Sequence, residues 1–147
     1  PPRVKTRRDG SYEIINPFAG KPAASIAAKA GAFKGRLIVL TSGDNASGVT
    51  HFLATVRTQR DNAVFIGEKT GGAATGATAG ILLYLTLPNS GAKVRVPLQR
   101  TVIANADQLD PRGGVTPDIL AEDTRFTTLA GTDPAMEAAL AYIAKGD

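Results

Sequence analysis

The alternation of apolar and polar positions changes character at Arg36. Residues 1–34 hold no sustained apolar period and are interrupted by Pro1, Pro2, Pro17, Pro22, Gly10, Gly20 and Gly31. One short strand is expected there, over 11–15 ("SYEII"). From Arg36 the pattern sharpens. "RLIVLT" (36–41) is a continuous apolar run, the mark of a strand buried on both faces. "SGDNAS" (42–47) is a polar break in which Asp44 and Asn45 are good N-cap types. Val49, Phe52, Leu53 and Val56 then follow at i, i+3, i+4 and i+7, one stripe of a helix. "NAVFIGE" (62–68) reads as a second buried strand. This order predicts a right-handed βαβ unit in a parallel sheet.

Beyond it, "KTGGAATGATAG" (69–80) is a glycine- and threonine-rich loop expected to line a site. "ILLYLTLP" and "AKVRVPLQ" flank "NSG" and predict a hairpin. "ADQLDPRGGVTPDI" (106–119) is expected to be a loop. Asp133 and Pro134 supply an N-cap and a first-turn proline. They open a closing helix whose apolar stripe is Met136, Ala139, Leu140 and Ile143 and which stops near Gly146. The expected class is α/β, with an irregular basic segment over 1–34 and the remainder, 35–147, forming one body.

Composition narrows this picture. The 147 residues suit one domain with a real core, at 43% apolar and 20% charged. No apolar run approaches the ~18 residues of a membrane helix, and no signal-peptide pattern opens the chain. Absence of cysteine removes disulfides, thiolate metal sites and thiol nucleophiles. The net charge of +4 is concentrated at the start: eight basic residues face only Asp9 and Glu13 within 1–36. Without aromatic interleaving or a DNA-binding module, that segment reads as a solvated connector and no nucleic-acid partner is expected.

The chemistry centres on Ser47. Lying opposite the helix stripe at about 100° per residue, it faces a cleft or solvent. Serine there has two readings. It is a common helix cap. It is also well placed as a nucleophile, because unsatisfied N–H groups and the helix dipole stabilise an oxyanion. Gly48 leaves its own N–H sterically open. His51, the single histidine, lies one turn later on the same face and is the nearest base. A base there would become a cation near a helix N-terminus, where positive charge is disfavoured. His51 therefore reads more readily as a neighbour than as the base. "KTGGAATG" lacks the order of a phosphate loop, and Asp44, Asp61 and Glu68 form no metal-ligand set.

The motifs "FKGRLIVLTS…NASG", "GEKTGG", "LPNSG" and "GGVTPDI", in this order over about residues 33–145, resemble the C-terminal processing (tail-specific) serine proteases. Relatives of that family include the tricorn core protease and the interphotoreceptor retinoid-binding protein modules. The resemblance implies a crotonase-like (ClpP/crotonase-type) core, with 35–147 as the C-terminal part of its catalytic domain. It makes Ser47 the nucleophile and Gly48 an oxyanion-hole N–H. Aligning Gly67, Glu68 and Thr70 puts Ala73 where the lysine-dependent branch keeps its base, and Lys69 then reads as a loop charge. The tricorn-like branch, with Ser, His and a carboxylate, fits better. Asp110 matches the carboxylate, with Asp107 as fallback; the histidine would come from upstream. The family's glycine-rich "DLRxNxGG" segment, which supplies the second oxyanion N–H, does not occur here.

The expected function is therefore a serine endopeptidase acting through an acyl-enzyme on Ser47. No cofactor or metal is expected, and the partner is a polypeptide substrate. The chain by itself is expected to be incomplete and inactive, forming a homo-oligomer or associating with the rest of its domain. A periplasmic or exported location in a Gram-negative bacterium follows from the resemblance. The alternative is a non-catalytic module on the same fold that binds a peptide or an apolar ligand.

Overall fold

A computed structural model describes residues 3–10, 12–15, 29–78, 82–98 and 100–146. They belong to two compact units, Pro1–Lys34 and Gly35–Asp147. In the first, β1 (Arg3–Thr6) and β2 (Tyr12–Ile15) pair antiparallel, from Arg3↔Ile15 to Thr6↔Tyr12. The second of these is the strand expected over 11–15. "RVKT" has a single apolar residue, so its own pattern carries no strand signal and the pairing supplies it. The irregular course expected for 16–28 lies outside the described residues.

The second unit runs β3 (Leu37–Thr41), α1 (Gly48–Gln59), β4 (Ala63–Gly67), β5 (Gly76–Ala77), β6 (Leu82–Thr86), β7 (Lys93–Pro97) and β8 (Thr101–Val102). A short 3-10 turn (Ala106–Gln108), β9 (Ile119–Leu120), α2 (Arg125–Ala130) and α3 (Pro134–Ala144) complete it. The architecture is mixed α/β. The central sheet is parallel in the order β3-β4-β9, with β3 and β4 in register from Leu37↔Ala63 to Thr41↔Gly67. The strand–helix–strand order expected over 36–68 is present. β9 starts on the last residue of the segment expected to be loop, where Ile119 and Leu120 join the free edge of β4.

β3 departs from the expectation of burial on both faces. Leu37, Ile38 and Val39 are half-buried and Leu40 is exposed. It is an edge strand among the described residues, with β4 as its one strand neighbour, and its apolar positions are only partly covered. The central β4 is the buried strand, with Phe65 and Ile66 fully enclosed. Phe65 and Ala63 join Leu53, Ala54 and Val56 of α1, with Ala74, Ile103 and Val115 from the loops, in the core.

The helix buries Leu53 and Val56 of the expected stripe but not its other two positions. Thr50, Leu53, Ala54 and Val56 are buried, while Val49 (50%) and Phe52 (62%) are exposed. Thr50 and Ala54 complete the inward stripe, with the half-buried Arg57 beside it, because Thr50 and Arg57 do work their polarity conceals. Thr50 Oγ1 donates to the Asn45 carbonyl at 2.8 Å, and the Arg57 guanidinium lies 4.0 Å above the Phe65 ring. Both satisfy their polar atoms while presenting apolar surface to the core.

α3 starts as expected. Asp133 Oδ1 accepts the Met136 N–H at 2.9 Å and Pro134 occupies the first turn. It packs on β3 and β4, yet of the expected stripe only Ala139 is buried; Met136, Leu140 and Ile143 are exposed. β6 and β7 form the expected hairpin, from Leu82↔Pro97 to Thr86↔Lys93. Its connection spans Leu87–Ala92, longer than "NSG" alone, and is closed by the Leu87 N–H to the Ala92 carbonyl at 2.9 Å. Residues 79–81 and 99, at the hairpin's approaches, lie outside the described residues.

Candidate active site

The turn between β3 and α1 is stitched before the helix begins. Asn45 does not cap α1, and neither does Asp44. Asn45 Oδ1 instead accepts the Ser42 N–H at 2.9 Å, and its own N–H donates back to the Ser42 carbonyl at 3.0 Å. The "GEKT" motif holds the same turn from the sheet side. Glu68 Oε2 accepts the Gly43 N–H at 2.7 Å and Oε1 accepts the Asp123 N–H at 3.1 Å. Thr70 joins "GEKTGG" to "GGVTPD": its Oγ1 accepts the Val115 N–H at 2.9 Å and its N–H donates to the Val115 carbonyl at 3.1 Å.

Ser47 is the residue that caps α1 by position, but its hydroxyl makes no capping bond. Its backbone stands at φ 54°, ψ −123°, a region that non-glycine residues seldom enter and that costs about 1–3 kcal/mol. The other described non-glycine residue at positive φ is Asn105, a residue type that tolerates it. The Ser47 carbonyl accepts the His51 N–H at 3.0 Å, so α1 starts directly beneath it. Gly48 is the first helical residue, and a side chain placed there would meet nothing within 4 Å. Its N–H has no partner among the described residues, as expected at a helix start.

Ser47 is exposed and opens onto a cavity of about 430 Å³. The glycine-rich loop supplies one wall with Ala73, Thr75, Gly76, Ala77 and Thr78, as its composition led us to expect; Arg100 and Pro111 supply the rest. The loop sits against the start of α1 through Gly72. The Gly72 N–H donates to the Asn45 carbonyl at 3.0 Å, and a Cβ there would collide with Thr50 Oγ1 and press on the Ala46 backbone. The loop then enters the short β5–β8 ladder, Gly76↔Val102 and Ala77↔Thr101. Arg100 immediately precedes β8, and one of its Nη groups donates to Thr75 Oγ1 at 3.3 Å. Arg100 and Pro111 lie outside the loop expected to line a site. No periodicity marks them, and only the ladder brings Arg100 to Ser47.

His51 is half-buried, and its ring makes no hydrogen bond to Ser47 or to any other described residue. Asp110 neighbours the cavity through Pro111 but does not line it. Its Oδ1 accepts the Arg112 N–H at 2.9 Å and its Oδ2 pairs with Lys69 Nζ at 3.1 Å. The Arg112 N–H first, then the Lys69 hydrogen bond and charge, hold the Asp110 carboxyl below the usual carboxylate range against a small opposing effect of burial. Lys69 is thus engaged with a carboxylate rather than with Ser47. Asp107 lies in the exposed 3-10 turn. Among the described residues, no group of three or more His, Asp or Glu side chains is placed to hold a metal ion.

No curated protein matches the chain. The family model of peptidase family S41 matches residues 3–121, a span that contains Ser47, the glycine-rich loop, Arg100 and Asp110. Over a match of that extent, the chain belongs to peptidase family S41.

Proposed function

We propose that the chain carries the nucleophile of a serine-type endopeptidase and that Ser47 forms the acyl-enzyme. The observation that carries this reading is the Ser47 backbone. A strained residue at a strand-to-helix turn, its hydroxyl free of any capping bond and open to a cavity, is what presenting a nucleophile requires. Serine used merely as a cap would adopt an extended backbone and bond to the second or third helical N–H.

In the proposed reaction a base removes the Ser47 hydroxyl proton as Oγ attacks the scissile carbonyl carbon. The carbonyl oxygen becomes an oxyanion facing the Gly48 N–H and the positive end of α1. Collapse expels the amine product, which takes the proton from the base, and water then releases the acyl group by the same steps. The base is a histidine contributed by polypeptide outside the chain described, on the tricorn-like pattern. Two features support that branch. Ala73 stands where the lysine-dependent pattern needs lysine, and Lys69 is tied to Asp110. Each Asp110 oxygen has accepted one hydrogen bond and retains capacity for another, so Asp110 is offered as the carboxylate that orients the incoming histidine. The β3–turn–α1 arrangement with its neighbouring hairpin supports a crotonase-like core, of which residues 35–147 are the C-terminal part.

A fluorophosphonate probe tests the proposal on the full-length gene product. Labelling is expected, and Ser47→Ala abolishes both it and peptide hydrolysis, the latter falling roughly 10³-fold or more. A folded gene product that resists the probe would instead be the non-catalytic binding module.

A further inference from the structure

We propose that Arg100 makes the Ser47 cavity selective for a carboxylate of the peptide, carried close to the scissile bond. The inference rests on the reading of Ser47 as nucleophile and assigns its substrate class. The cavity wall is otherwise built of small, uncharged residues, so the Arg100 guanidinium is the single formal charge among the described lining residues. Its backbone is set by the β5–β8 ladder that begins at the next residue. Its side chain is anchored by Thr75, which is itself 8% exposed and therefore fixed in the wall.

The anchor occupies one of five guanidinium N–H donors. Among the described residues, no carboxylate pairs with Arg100. Lys69 and Arg57 each have their own aspartate, Asp110 and Asp118. Arg100 is thus an exposed cation with one bond to the wall and most of its donors unspent, lining the same cavity as the serine that peptides must approach. A planar guanidinium presents paired donors to a carboxylate, and such charge-assisted bonds are among the stronger polar contacts. Both an Asp or Glu side chain and a peptide's terminal α-carboxylate offer this chemistry.

The test uses internally quenched peptides on the full-length gene product, after fluorophosphonate labelling has established a reactive Ser47. One arm walks a single Asp, against Asn, through each position flanking the cleavage site of C-terminally amidated peptides. The other compares free-acid and amidated forms of one neutral peptide. We expect kcat/KM to favour the carboxylate about tenfold or more in one arm, which identifies its source. Arg100→Gln brings that ratio close to one, Arg100→Lys retains part of it, and Arg100→Glu turns the preference toward Lys-bearing peptides. Because each readout is a ratio within one variant, a general loss of activity or fold does not imitate it. A ratio near one in the unaltered protein, or one that Arg100→Gln leaves intact, overturns the proposal. An unlabelled Ser47 overturns the nucleophile reading and this inference with it, whereas labelling without charge preference removes this inference alone.

Discussion

Ser47 holds a backbone conformation that glycine adopts freely and alanine does not. Two substitutions separate strain from chemistry. Ser47→Ala removes the hydroxyl and keeps the strained φ, while Ser47→Gly removes both. Ser47→Gly is expected to be the more stable by about 1 kcal/mol, reversing the usual advantage of alanine, which arises in the unfolded chain. Urea denaturation checks this, and a higher midpoint for Ser47→Ala would show that φ 54° carries no strain. At His51 the expectation is kinetic. Its ring has no bond to Ser47, so His51→Ala leaves kcat of the full-length gene product within about three-fold. Loss of a true base costs roughly 10³-fold or more, and a fall of that size would make His51 the base.

Among the elements, α1 is joined to the sheet by Arg57. Its guanidinium covers Phe65, donates to both oxygens of Asp118 at 2.8 and 3.0 Å, and donates to the Thr116 carbonyl at 2.7 Å. Asp118 Oδ2 also accepts the Phe65 N–H at 2.8 Å. Burial pushes the Asp118 carboxyl up, but the Arg57 hydrogen bond, the Phe65 N–H and the Arg57 charge together hold it below its ordinary value. The folded carboxyl therefore resists protonation more than the unfolded one. Its contribution to stability is present above the unfolded value of ~3.9 and is lost as pH falls further through the folded value. Acid titration of thermal stability should show this loss below about pH 4, and Asp118→Asn should flatten it. Arg57→Ala, which removes both the ring cover and the pair, is expected to destabilise by on the order of 2 kcal/mol in urea. The glycine-rich loop has the opposite balance. Gly72→Val drives a side chain into Thr50 and the Ala46 backbone and moves the cavity wall away from Ser47. A fall in kcat/KM of about tenfold or more is expected, larger than the accompanying loss of stability, since small displacements at a reacting centre are severe.

Over the second unit as a whole, apolar surface is left uncovered among the described residues. Leu83 and Leu85 pair with Val96 and Val94, so all four share one face of the β6–β7 hairpin, and all four are exposed. Phe126 and Leu129 of α2 are 73% and 78% exposed. Contiguous apolar exposure of this kind binds hydrophobic dyes. The chain of residues 1–147 is expected to enhance 1-anilinonaphthalene-8-sulfonate fluorescence while folded. Leu83→Lys combined with Leu85→Lys should reduce that signal with little change in the thermal midpoint, because neither side chain is in the core. An unchanged signal would move the dye site off the hairpin.

The sequence by itself determined what depends on near neighbours. "RLIVLT", "SGDNAS", the apolar spacing from Val49 to Val56 and "NAVFIGE" specify strand, turn, helix and strand, Asp133-Pro134 starts the last helix, and the motif order carries the family. Short-range sterics and periodicity suffice for these, so they were legible. What depended on distant partners was not. Thr50 faces the core and Arg57 covers Phe65 because Asn45 and Asp118 satisfy them, which moves part of the helix stripe off its apolar pattern. β3 is only partly covered and lies at the sheet edge, facts absent from its composition. Only the tertiary structure put Ser47 at φ 54°, withdrew its hydroxyl from capping, and carried Arg100 to its cavity beside a two-residue ladder. A backbone strain and a cavity wall are both properties of non-local packing, and local pattern does not encode them.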